Sequence, residues 1–124
     1  MDYQKILIEL LLEKVAPKTE TAQTMQSDFI GKVCMVRTYS AGVFYGKLVK
    51  KAGKEGKLEN ARRCWYWSGG ASLSELATNG TSKPTECKFP IPVAELELSE
   101  IIEVIPMTEK AINSLNEVKI WSLK

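Results

Sequence analysis

Between residues 32 and 67, three extended segments alternate with two glycine-containing turns, and this pattern most limits what the chain can fold into. Residues 32–38 (Lys-Val-Cys-Met-Val-Arg-Thr) read as a strand, and Tyr39-Ser40-Ala41-Gly42 reads as a turn. Residues 43–50 alternate, with Val43 and Tyr45 on one face and Phe44 and Leu48 on the other. A hairpin loop is expected over residues 51–56 and a third extended segment over 57–67. Short loops join antiparallel neighbours directly, whereas parallel strands need a long crossover. The expectation is an antiparallel meander that opens a small barrel or a curled sheet.

The second half adds helices. Ser72-Leu73-Ser74-Glu75 fits a capping box for a short helix over 71–78, with Leu73, Leu76 and Ala77 as its apolar face and Asn79-Gly80 as its stop. Cys87-Lys88-Phe89 and residues 93–98 read as strands. Ile101, Ile102, Val104 and Ile105 form a β-branched run that Pro106 ends. Thr108 caps a last helix over 109–116 with Ile112 and Leu115 inward, and Val118, Ile120 and Trp121 close the chain as a strand.

At the other end, Tyr3, Ile6, Leu7, Leu10, Leu11 and Val15 recur at helical spacing between Asp2 and Pro17. Such a stripe must be buried on its own domain or on a second copy. The reading is an α+β protein: an oligomerisation arm over 1–16, a polar linker over 17–30, and a core domain over 31–124. That core has an antiparallel, partly barrel-like sheet and two short helices.

Seventeen basic and fifteen acidic residues leave a net charge of +2, too balanced for a general nucleic-acid coat. The chain has no histidine, so the commonest general base and metal ligand is missing, and Ser-His-Asp chemistry with it. Three widely spaced cysteines form no Cys-x-x-Cys pair, which argues against zinc and fits reduced thiols in a cytoplasmic protein. No cofactor is expected. Glu9 and Glu13 interrupt the apolar N-terminal run, which is too short to span a bilayer and lacks a cleavage site.

Residues 60–71 (Asn-Ala-Arg-Arg-Cys-Trp-Tyr-Trp-Ser-Gly-Gly-Ala) carry the densest chemistry. Guanidinium groups bind phosphate through paired hydrogen bonds, and aromatic faces stack on bases. Read as a strand, Arg63, Trp65 and Trp67 share one side and Arg62, Cys64 and Tyr66 the other. Trp65 and Trp67 are then either core anchors or part of a ligand face. Arg37 and Tyr39 form a second polar cluster at a strand end; Arg37 either joins Arg62 or Arg63 around an anion or pairs with an acid such as Glu103. Gly69-Gly70 serves either as a tight turn or as a phosphate-facing helix start; neither a Walker nor a dinucleotide motif is present. The candidate ligand residues are Arg37, Tyr39, Arg62, Arg63, Trp65 and Trp67, with no catalytic and no metal-binding residue among them.

Residues 36–46 (Val-Arg-Thr-Tyr-Ser-Ala-Gly-Val-Phe-Tyr-Gly), with Asn60-Ala61-Arg62-Arg63, Trp65-Tyr66-Trp67, Ala71-Ser72-Leu73-Ser74 and Cys87-Lys88-Phe89, resemble a small domain family of unknown function common in tailed phages and prophages. In size, N-terminal helix and Arg/aromatic segment, the chain is also similar to the Thoeris anti-defence sponges. That second resemblance implies a homo-oligomer that sequesters a cyclic ADP-ribose-like signal without cleaving it, through Arg62 and Arg63, with Arg37 and Trp65. The alternatives are a nucleic-acid-binding module, motivated by lysines 47, 50, 51, 54 and 57, and an inhibitor that docks on a host protein through the N-terminal helix.

Overall fold

The computed structural model describes residues 27–123; the expected N-terminal helix and most of the expected linker lie outside the described residues. The described part is α+β, as the sequence pattern predicts. Five antiparallel strands form one sheet: β1 (Val33–Thr38), β2 (Val43–Ala52), β3 (Glu55–Arg63), β4 (Val93–Leu98) and β5 (Ile101–Pro106). Their order is β4-β3-β2-β1-β5. β4 and β5 are therefore the two edges, yet only Ser99 and Glu100 separate them in sequence. That link forces the sheet to curl until its edges approach, and the sheet stays unclosed between them.

Both faces of the sheet are covered. Cys34, Met35 and Val36 are consecutive and all buried, as are Phe44 and Tyr45, the mark of strands with a core on either side. Inside the curl lie Cys34, Val36, Phe44, Leu48, Leu58 and Ile101, with Phe29 packed against them. The backbone N–H of Ile101 reaches the Lys54 carbonyl at 2.9 Å, so the start of β5 crosses the mouth of the curl to the β2–β3 hairpin.

Two helices, α1 (Leu73–Asn79) and α2 (Glu109–Asn116), cover the opposite face. Met35, Tyr45, Cys64, Leu76, Phe89 and Leu115 form the core beneath them. The capping box forms with one change of partner: Ser72 accepts from the Glu75 N–H, while the Glu75 carboxylate takes the N–H of Ala71. Thr108 accepts from the Ala111 N–H and donates to the Thr78 carbonyl at 2.6 Å, which ties the start of α2 to the end of α1. Ala111 and Leu115 face the core, and Ile112, expected inward, is half-buried.

Three expectations change. β2 runs on to Ala52, because Gly53 and Lys54 alone make the turn. β3 ends at Arg63 rather than Trp67; beyond it, Tyr66 makes an isolated bridge with Lys88. The C-terminal strand is likewise one bridge, Phe89 with Ile120, with Trp121 N–H donating to the Phe89 carbonyl at 2.9 Å. In both places the partner segment around Cys87-Lys88-Phe89 is too short to carry a ladder.

Candidate functional site

A single bulge sorts the arginines. Tyr45 pairs with Arg62 and Lys47 with Glu59, so Gly46 of β2 faces two residues of β3, Asn60 and Ala61. Asn60 takes a left-handed conformation (φ 52°), which Asn tolerates better than most residues. The extra residue moves Arg62 off the face of Leu58 and onto the helix-covered face. Arg62 is only 6% exposed. Its Nε donates to the Pro90 carbonyl (3.1 Å), Nη1 to Leu115 (3.2 Å), and Nη2 to Phe89 (3.3 Å) and Val118 (2.7 Å). The guanidinium carbon lies 5.4 Å from the Phe89 ring centroid. Arg62 thus pins the end of α2 and the 89–90 segment to the sheet, and the carbonyls offset the loss of its hydration.

Arg63 projects to the other face. Its guanidinium carbon lies 4.4 Å from the Phe44 ring centroid, and Nη1 donates to the Ala41 carbonyl at 2.6 Å. Arg37 lies on the helix-covered face beside β5, where Nε donates to Glu103 at 2.8 Å, the acid pairing that the sequence offered. Tyr39 is exposed in the β1–β2 turn. The three guanidinium groups therefore do not converge within one copy of the domain.

The indoles separate as well. Alternation would place Trp65 and Trp67 on one face, but the ladder ends before them. Trp67 packs against the helix-side core. Trp65, 57% exposed, stacks on Trp121 with ring centroids 5.0 Å apart and an interplanar angle of 6°. The Lys88 ammonium lies 5.6 Å from the Trp65 centroid, 5.8 Å from Trp121 and 6.0 Å from Tyr66. Trp121 is 38% exposed and Tyr66 50%. The result is an open aromatic platform with a cation at its centre, an arrangement suited to stacking a base beside a phosphate.

Sequence reasoning missed Trp121 and Lys88 as members of this group. Trp121 follows an apolar pair and reads as core, and Lys88 is a lone cation between a cysteine and a phenylalanine. Only the pairing of Tyr66 with Lys88 and of Phe89 with Ile120 brings them to Trp65.

Gly69-Gly70 is a packed turn. Gly69 has φ 85°, and a Cβ there would stand 2.6 Å from the Lys83 backbone nitrogen. The Ser82 N–H donates to the Gly69 carbonyl, and the Ala71 and Glu75 N–H groups at the start of α1 are held by side chains of the helix itself. The three thiols are free and buried, and burial pushes Cys34 up to about 11 and Cys64 higher still, so neither is a nucleophile near neutral pH. Among the described residues no group of His, Cys, Asp or Glu could hold a metal ion, and no helix is long and apolar enough to cross a membrane.

Against known proteins, residues 31–115 match a family described as a domain of unknown function (DUF6948). The match covers more than half of the chain, and the chain belongs to that family. It spans the whole sheet, α1 and all but the last residue of α2, with Arg62, Trp65 and Lys88, and stops before Trp121. No curated protein and no solved structure matches the chain.

Proposed function

We propose that this member of the DUF6948 family is a non-catalytic binding protein that sequesters a small nucleotide signal, of the cyclic ADP-ribose type, as a phage anti-defence protein. The observation that carries the reading is the exposed Trp65–Trp121 stack with the Lys88 ammonium 5.6 and 5.8 Å from its two rings. A purine would extend the stack, and Lys88 would neutralise an adjacent phosphate. The phage setting rests on the resemblance carried by residues 36–46 and the Arg/aromatic segment. A homo-oligomer belongs to the same reading: Arg37 and Arg63 leave opposite faces of the sheet, so a pyrophosphate held by two guanidinium groups needs one from a second copy.

Calorimetry against cyclic ADP-ribose isomers and cyclic oligonucleotides tests it, with tryptophan fluorescence as a second readout. Binding with quenched emission, followed by recovery of intact ligand after heat denaturation, is expected. No binding to any of these at micromolar protein, or recovery of cleaved ligand, overturns it.

One observation favours a second reading, a single-stranded nucleic-acid module: the platform is open rather than enclosed. Oligonucleotide affinity that falls steeply with salt would select it.

A further inference from the structure

On the helix-covered face, a cleft of about 330 Å³ that shares no lining residue with the indole platform opens beside Arg62. Its polar wall is Tyr45, Asn60, Arg62 and Asn116, and Pro92 and Ile120 close it on the apolar side. No carboxylate lines it. We infer that this cleft is a binding site for a small oxyanion, a phosphoryl or carboxylate group, and that the site is separate from the indole platform.

Charge carries the argument first. Arg62 is a buried cation, and among the described residues no acid pairs with it. Its four carbonyl partners supply dipoles but no net negative charge. Among the described residues the formal positive charge is therefore uncancelled, in a place where water screens it poorly. Nε and Nη2 spend all their N–H groups on carbonyls and Nη1 spends one of its two, and the guanidinium also reaches the Tyr45 hydroxyl, so Arg62 acts on the cleft through its charge rather than through a free donor.

The donors carry it next. The Tyr45 hydroxyl donates to Asn116 Oδ1 at 2.9 Å. That bond fixes the carboxamide with its oxygen toward Tyr45, so its NH₂ is left for another acceptor. Asn60, held on the bulge by its left-handed backbone, brings a second carboxamide to the same cleft. Donors from β3 and α2 thus face one opening, with a cation behind them and no anion among them, while Tyr45 of β2 spends its one O–H on orienting Asn116. An oxyanion is the complement of that set. The volume accommodates an oxyanion together with a small organic group.

The test is an NMR titration of the full chain with inorganic phosphate, acetate and adenosine. Phosphate or acetate is expected to shift the side-chain NH₂ signals of Asn60 and Asn116 and the guanidinium signals of Arg62, leaving the Trp65 and Trp121 indole N–H signals in place. Comparing the two anions tells a phosphoryl site from a carboxylate site. Adenosine, which has no anion, is expected to move only the indoles if the platform binds bases, so each site succeeds or fails alone. Asn116→Asp keeps the acceptor for Tyr45 and replaces the NH₂ donor with a negative charge; it is expected to weaken anion binding about tenfold or more. Anions that leave all three cleft signals unmoved overturn the inference, whether or not the variant folds. Equal affinity in a folded Asn116→Asp protein overturns it as well.

Discussion

Gly46 and Asn60 oppose each other in one β-bulge, and each needs the other. The chain can place two residues of β3 against one of β2 only because Gly46 has no side chain: a Cβ there would stand 2.9 Å from Ala61 Cα and 2.9 Å from the Glu59 carbonyl oxygen. Gly46→Ala is therefore expected to destabilise the fold by about 1–3 kcal/mol, the range for overpacking. Urea unfolding measures it. Full stability in Gly46→Ala would mean that the bulge is not held this tightly.

The arginines give a contrast within one protein. Arg62→Met keeps an apolar stem over Phe89 but strands four carbonyls, and a loss of at least about 3 kcal/mol is expected. Arg37→Ala removes only an exposed ion pair with Glu103, and its effect should stay within about 1 kcal/mol. Denaturant midpoints of the two variants, measured side by side, decide whether they rank in this order.

Trp121→Ala removes half of the indole stack. Emission from Trp65 should shift to longer wavelength as its covered face meets water. Stability should fall modestly, by about 0.5–1.5 kcal/mol beyond the area lost. If the platform holds a base, ligand affinity should drop by about 1–3 kcal/mol in the same variant. An unchanged emission maximum would show that the two rings are not stacked in solution.

Stability should fall in alkali. Burial raises the Cys34 thiol from an ordinary 9.0 to about 11, and it raises Cys64 and the Tyr45 phenol too, although the Arg62 guanidinium opposes the rise at Tyr45. Each group keeps its proton in the folded state at a pH where the unfolded chain releases it. The folded state then binds more protons, and the slope of unfolding free energy against pH is negative. The contribution is complete below pH 9.0 and is lost as pH climbs toward about 11. Urea midpoints taken from pH 8 upward should decline over that window, and Cys34→Ala should flatten part of the decline.

The strands were legible where apolar alternation and turn residues agreed, as in β1 and the first half of β2, and so were the capped helices. A bulge near the arginines was one of two alternatives the sequence left open, but its position was not legible, because Gly46 and Asn60 lie on different strands and only their pairing marks it. Alternation alone divides the arginine pair; the bulge decides which face each takes, with Arg62 buried among carbonyls under the helices and Arg63 on the opposite face. The platform was half legible. Trp65 stood out as part of an aromatic run, whereas Trp121 and Lys88 reach it through two isolated bridges that no period of two or 3.6 announces.

The order β4-β3-β2-β1-β5 also bears on how the chain reaches this shape. The shortest connection after the first hairpins joins the two strands farthest apart in the sheet, so β5 has no seat until β1 is already in place. Arg37 and Glu103, which meet at that last seam, are 66 positions apart. Closing so long a loop costs entropy before any contact repays it, which makes docking of β5 the natural late step of folding. Ser99 and Glu100 then act as a tether of fixed length: a longer link would let the sheet relax toward flatness and open the mouth that Ile101 now spans.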